Sequence, residues 1–340
     1  MKLKRLTAQN IFFIIGFAAV VIMVFAIGLD EIVDNVVKTG WWFAAIIGMW
    51  LPIYLINTWA FVTIIRDGDP SHQHVPFLHI LKINLSGFAL KAATPLGFVG
   101  GDPYKILEFR ALFGVEKATS SVLLYSMTHI SAHFLFWAFA IIISAIFMPM
   151  SMGLRIFMLI SFVIFTCLLL LLWRGYRKGM AMKFFNTCCR LPYLKRIVPP
   201  FLERNQEKLL LIDKQITHLY HHRRTAFLKT LGLEFFARIC NCLEVYVILL
   251  TVTSHVTLLE SVVIYTFMSL FTNILFFSPM QVGVREGGFL IAFKALSLPG
   301  ALGIYVSLVT RVRELFWIGV GILLMKVKGL NSAPPIVEKE

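Results

Sequence analysis

Two stretches decide how this chain is read: Thr94-Pro95-Leu96-Gly97-Phe98-Val99-Gly100-Gly101-Asp102 and Ser278-Pro279-Met280-Gln281-Val282-Gly283-Val284-Arg285-Glu286. Each places an acid seven residues after a proline. Each follows an apolar segment containing an asparagine, Asn84 or Asn273, and runs into a helical stretch with cations, Lys105 and Arg110 in the first and Lys294 in the second. A glycine turn at Gly114 or Gly300 and a long apolar run come next. The shared order is that of a duplicated unit. Proline ends a first half-helix because it removes a donor and restricts the residue before it, and the glycines let bare backbone approach a ligand. Asp102 followed by Pro103 predicts a helix restart, with the aspartate at the N-cap and the proline at the first helical position.

Outward from these motifs the chain is apolar. Of its 340 residues 58% are hydrophobic and 15% charged, with a mean hydropathy of +0.80; a soluble domain is about a quarter charged. A membrane-spanning helix needs about 20 apolar residues. Six runs reach that length: Ile11–Gly28, Trp41–Ile65, Ser120–Phe147, Leu154–Trp173, Thr225–Thr253 and Ala301–Met325. Phe77–Thr94 and Leu258–Phe277 also enter the bilayer in this reading, but each stops at its motif. The expected fold is an all-α integral membrane protein with about six full spans plus two re-entrant helical hairpins in an inverted repeat. Residues 1–330 make one transmembrane domain, and 331–340, with two prolines, a disordered tail.

Charge sets the expected orientation. Lys2, Lys4 and Arg5 precede the first span while Asp30, Glu31 and Asp34 follow it, placing the amino terminus in the cytoplasm. Six spans bring the carboxyl terminus back to the same side. Most of the net charge of +14 sits in residues 174–224, where twelve Lys/Arg face Glu203, Glu207 and Asp213, a net +9. A basic loop of this kind marks the cytoplasmic face and is drawn to anionic lipid by about 1 kcal/mol per cation near the surface; no nucleic-acid partner is expected. Leu202, Leu209, Ile212, Ile216 and Leu219 give the loop an amphipathic helix, lying on the inner membrane surface or packed under the spans. The first run lacks a small-residue cleavage site and reads as a retained span. The five cysteines do not form a disulfide framework and read as thiols. Trp41 and Trp42 read as interface anchors.

Ionisable residues inside apolar runs are costly unless paired or hydrated. Here they are Glu234, Arg238 and Glu244 in one span and Arg311, Arg313 and Glu314 in the last, besides Arg285 and Glu286 of the second motif. Glu234 and Arg238 share a helical face and are either a mutual ion pair or cavity groups. For Arg285, Glu286 and Arg311 a place in a polar cavity is expected, because non-helical backbone at membrane depth is tolerated only in protein or beside water. His129 and His133 also share a face; with no third ligand at fixed spacing they read as buried, neutral, hydrogen-bonded histidines, and neither a metal nor a cofactor is expected. No feature of the sequence supports a proton cycle through Glu234, Glu244 or His129.

Thr94-Pro95…Gly100-Gly101-Asp102-Pro103-Tyr104-Lys105 and Ser278-Pro279…Val282-Gly283-Val284-Arg285-Glu286-Gly287-Gly288 resemble the two signature stretches of the lysylphosphatidylglycerol synthase transmembrane-region family. The resemblance runs from about Phe77 to Leu324. It implies a flippase-like membrane domain, which some members fuse to a soluble domain that aminoacylates phosphatidylglycerol. That domain is expected to be absent, since the chain ends after its last span. The family's glycine-rich acidic motif falls on Gly100, Gly101 and Asp102, its Gly-x-Arg-Glu motif on Gly283, Arg285 and Glu286, and its late arginine on Arg311. Met280-Gln281 stands where members often carry Gly-Gly, and Thr128-His129 where they carry an Asp-Arg pair.

The expected function is a lipid flippase or transporter, taking an anionic or aminoacylated phospholipid, or an isoprenoid-linked lipid, through a polar cavity between the hairpins. Arg285, Arg311 and Arg110 would hold phosphate by charge-assisted hydrogen bonds. Asp102 and Glu286 would orient those arginines or meet a cationic head group. Expected partners are membrane phospholipids and a separately encoded lipid-modifying enzyme. The rival reading is a membrane subunit of a lysyltransferase-type lipid-modifying system; no Ser/His/Asp set, phosphate loop or metal-ligand set points to an activity of this chain alone.

Overall fold

The computed structural model describes residues 28–66, 75–94, 100–147, 152–178, 224–275 and 283–327, with Gln281 and isolated positions within 13–25 and 206–217. The amphipathic loop helix, the carboxyl-terminal tail, most of the first expected span, and Pro95 and Pro279 lie outside these residues. Among the described residues the chain forms eleven helices and no strand: α1 (Leu29–Thr39), α2 (Trp42–Gly48), α3 (Trp50–Ile65), α4 (Phe77–Ala93), α5 (Gly101–Phe113), α6 (Val115–Phe147), α7 (Met152–Lys178), α8 (Arg224–Leu250), α9 (Leu258–Ile274), α10 (Val284–Ala295) and α11 (Gly300–Leu324).

Among the described residues three stretches are long and apolar enough to cross a membrane: Trp42–Ile65, Val115–Phe147 and Met158–Gly175. Two more, α8 and α11, have 27 and 25 residues but carry the charged side chains of the interior. The polarity is distributed inside out. On α7, Ile156, Leu159, Ile160, Val163, Ile164, Leu170 and Leu171 are exposed, a continuous apolar face that water would penalise and lipid would not. Meanwhile Glu234, Glu244, Arg238, Arg311 and Arg313 are buried.

Local chemistry sets the helix boundaries. Thr257 and Glu260 cap α9 reciprocally: the Thr257 amide donates to Glu260 Oε2 at 2.7 Å and the Glu260 amide donates to Thr257 Oγ1 at 3.2 Å. At the start of α10 the Gly283 amide donates to Glu286 Oε2 at 2.8 Å, on a backbone whose φ of 79° favours glycine. The first motif is built differently from its expectation. Helix α5 begins at Gly101, so Asp102 is its second residue rather than its N-cap, and the aspartate makes no cap bond. Its carboxylate accepts instead from Ser126 of α6 at 3.0 Å.

In each motif the chain doubles back. A Cβ added at Gly101 would stand 2.6 Å from the Gly87 carbonyl and 2.7 Å from Lys91 Cβ, and Lys105 threads its alkyl stem across Gly87, so α5 runs antiparallel along α4. Gly288 does the same for α10 on α9, with Met268 Cα 3.0 Å from its would-be Cβ. Small residues allow such close backbone approach where water drives nothing together. The helix contacts repeat as well. The neighbours α3–α4, α4–α5, α5–α6 and α3–α6 are matched by α8–α9, α9–α10, α10–α11 and α8–α11. Helix α4 packs on α11 as α9 packs on α6, and α3 packs on α8. Ser86 Oγ, donating 2.8 Å to the Gly321 carbonyl, marks the α4–α11 crossing.

Candidate functional site

A cavity of about 140 Å³ lies between α6, α8, α9 and α11, with Trp50, Phe88 and the residues before α10 closing it. That volume holds roughly five waters. Its ionisable lining consists of Glu244, Arg285, Arg313, Glu314, His133 and Tyr265. Each helix delivers its polar residues at helical spacing: Asn241 and Glu244 from α8, Ser269, Thr272 and Asn273 from α9, Thr310, Arg313 and Glu314 from α11.

Carboxylates neutralise the arginines. Arg313 grips Glu244 with two bonds, Nε to Oε1 at 2.7 Å and Nη2 to Oε2 at 3.2 Å, while its guanidinium lies 3.8 Å from the centre of the Trp50 ring. This bidentate, stacked geometry is one that lysine cannot reproduce. Arg285 Nη1 stands 2.6 Å from Glu314 Oε2. One layer beyond the cavity, Arg311 Nε donates to Glu286 Oε1 at 2.6 Å, and Ser307 Oγ donates to the same oxygen at 2.9 Å. Gln281 joins the layers: its side-chain oxygen accepts from Arg285 Nη2 at 3.1 Å and its carbonyl from Arg311 Nη2 at 3.3 Å. The cavity wall therefore offers two cations and two anions in fixed pairs. Among the described residues four polar atoms of its lining have no hydrogen-bond partner: Trp50 Nε1, His133 Nδ1, Asn241 Oδ1 and Arg285 Nε. Leaving such atoms dry costs about 1–3 kcal/mol each, a cost that water or a polar ligand would remove.

A second polar cluster lies where α6 crosses α8. Tyr125 Oη donates to Glu234 Oε1 at 2.7 Å, His129 Nδ1 is 2.7 Å from Glu234 Oε2, and Arg238 Nη2 donates to the same oxygen at 3.2 Å. Glu234 and Arg238 are thus an ion pair, one of the two roles open to them from spacing. Asp102 and Lys105 of α5 flank this cluster through Ser126 and Tyr125, the Lys105 ammonium standing 5.4 Å from the Tyr125 ring centre.

The residues singled out from sequence divide between these places. Arg285, Glu244, Arg313 and Glu314 line the cavity, Glu286 and Arg311 back it, and Glu234 and Arg238 form the second cluster. Gly100 and Gly101 sit at the α4–α5 contact, Asp102 bonds across the α5–α6 contact, and Gly283 caps α10; none of them is in the cavity lining. Arg110 is exposed in the last turn of α5 and also outside the lining. The expectation that both neighbouring histidines are hydrogen-bonded holds for His129 but not at His133 Nδ1. Sequence reading did not assign Asn241, Gln281, Thr310 or the Ser269/Thr272/Asn273 face to the site, although three- and four-residue spacing of polar groups inside apolar runs points to most of them.

The fold and this interior define a helical membrane protein with a polar core. The matching family model, described as the lysylphosphatidylglycerol synthase TM region, covers residues 12–321, and the chain belongs to that family. It is accordingly a membrane protein of lipid metabolism or transport. Comparison with curated proteins and with solved structures returned no match.

Proposed function

We propose that this chain is a flippase-like transporter that carries a lipid head group across the bilayer through the cavity while the acyl chains stay in hydrocarbon. One observation carries the reading: a polar cavity with unpartnered His133, Asn241 and Arg285 atoms inside a bundle whose outer face is apolar. The paired charges suit a head group with an anionic phosphate, which meets Arg285 and Arg313 as their carboxylates yield, while Glu244 and Glu314 are then free for a cationic moiety.

In this reading α4–α5 and α9–α10 are re-entrant hairpins entering from opposite faces of the cell membrane, with both termini cytoplasmic. Two features support it: α4 and α9 are each 17 residues long, short of a full crossing, and the helix contacts of the two halves correspond.

The test is reconstitution in liposomes containing fluorescent phosphatidylglycerol, with leaflet exchange followed by chemical quenching. Arg285→Ala and Asn241→Leu should slow exchange about tenfold, the loss of about one strong polar contact. Rates equal to the wild type at equal protein content overturn the proposal. Lipid extracts separate the rival class: an enzyme subunit changes the lipid inventory on deletion, whereas a flippase changes only leaflet distribution.

A further inference from the structure

His129 and His133 lie one turn apart on α6, and their rings meet edge to face with centroids 5.1 Å apart. Their settings differ. His129 keeps 26% of its side chain exposed, yet its Nδ1 is held by Glu234, which is entirely buried. His133 is buried, lines the cavity and has no protein partner at Nδ1. One imidazole keeps accessible surface and the other lines the cavity.

We propose that His129 and His133 are a proton relay into the cavity, so that movement of the cavity's occupant is coupled to proton movement. This rests on the transport reading above and adds its energy source. A carboxylate that accepts the Nδ1 proton fixes the tautomer and leaves Nε2 as the nitrogen that takes and returns a proton. Glu234 is such a clamp, itself oriented by Tyr125 and Arg238. Arg238 Nη2 lies over the ring edge, 2.9 Å from His129 Nδ1 and 3.1 Å from Nε2, so a proton arriving at Nε2 meets a cation and pushes the guanidinium onto Glu234. A like charge at that distance makes the imidazolium short-lived, which suits a relay station and not a store. The proton passes to a nitrogen of the neighbouring His133 ring, whose centroid is 5.1 Å away, and leaves from the other nitrogen into the cavity. One proton enters and one leaves, and both rings finish neutral.

The surroundings leave the pair as the link. Facing the rings are Glu234 and Arg238 from α8 and Tyr125 on α6 itself, while the charge of exposed Lys91 on α4 reaches both from further off. Asp102 and Lys105 of α5 stand against the Ser126 and Tyr125 end. Helix α9 contributes Tyr265, bonded to Asn241, and Ser269, bonded to Trp137, while α3 and α7 bring Phe61 and Phe165. A metal site is the other use for paired histidines, and among the described residues no group of three ligands exists.

The experiment uses the full chain in sealed vesicles of phosphatidylethanolamine and phosphatidylglycerol, with a pH dye inside and a fluorescent phosphatidylglycerol tracer. Across a gradient of about one pH unit, tenfold in proton activity, the wild type should exchange lipid about fivefold faster in one direction than the other. His129→Gln should retain exchange without a gradient, and both His129→Gln and His133→Gln should lose that asymmetry and abolish dye-detected proton entry. Lipid exchange indifferent to the gradient in the wild type overturns the relay and leaves the transport reading standing. Proton entry that is lost in both variants, without any lipid exchange, supports the relay and overturns the transport reading. Variants that keep the wild-type asymmetry overturn the relay, and circular dichroism with a thermal melt establishes that each has folded.

Discussion

Ser126 donates to Asp102 across the α5–α6 contact at 3.0 Å, and Ser307 donates to Glu286 across the α10–α11 contact at 2.9 Å. The acid that ends each proline-to-acid motif is therefore tied to a serine on the long helix that follows. The two halves diverge one turn further on. Four residues beyond Ser307 stands Arg311, which pairs with Glu286, whereas His129, three beyond Ser126, turns to Glu234 of α8.

The Glu244–Arg313 pair should behave as a buried ion pair. Removing one partner of such a pair costs about 3–5 kcal/mol, while replacing both by apolar groups is near neutral. Arg313→Met alone should lower the melting temperature in detergent by several degrees, and the double variant Glu244→Leu with Arg313→Met should recover most of it. Neither should support lipid exchange. Equal melting of single and double variants would show that the two side chains are not coupled.

Glycines at helix contacts should be intolerant and those facing open space indifferent. A Cβ at Gly321 would lie 2.6 Å from both Ala89 Cβ and the Leu85 carbonyl, whereas Gly232 and Gly319 have nothing within 4 Å. Gly321→Ala and Gly101→Ala should each destabilise by about 1–3 kcal/mol through overpacking. Gly232→Ala should stabilise by about 0.5–1 kcal/mol through helix propensity. Thermal melts of the three proteins in one detergent decide the matter.

Gln281 adopts a left-handed backbone with φ of 54°, a conformation that costs a non-glycine residue about 1–2 kcal/mol. It is offset by the bonds to Arg285 and Arg311. Gln281→Gly should leave the melting temperature within about a degree while slowing lipid exchange, because the strain and the Arg285 bond disappear together and only the second concerns the cavity. A variant exchanging lipid at the wild-type rate would remove Gln281 from the site.

Thiol accessibility should follow burial. Cys167 is exposed on the lipid-facing side of the bundle and Cys242 is buried, its thiol donating to the Arg238 carbonyl at 3.3 Å. A small maleimide carried in the membrane phase should label Cys167 and spare Cys242 until the protein is denatured, as read by mass spectrometry. Equal labelling of the two would contradict the helix arrangement.

Composition and local pattern were enough for the helical membrane class, the chain reversals at the two glycine-rich motifs and the family, because each depends on hydropathy or backbone chemistry within a few residues. Spacing alone also put Glu234 beside Arg238. It left open whether that pair was an ion pair, and it placed Asp102 at a helix cap when the carboxylate bonds to a serine 24 positions away in sequence.

The pairing of Arg285 with Glu314 and of Arg313 with Glu244, the part played by Gln281 and the opposite exposures of His129 and His133 were decided only in three dimensions. The physical reason is reach. A span's polar stripe is written in its own sequence, but which stripe it meets depends on how α4 and α9 pack against α11 and α6, and the two motif-bearing halves are brought together by contacts between residues more than a hundred positions apart.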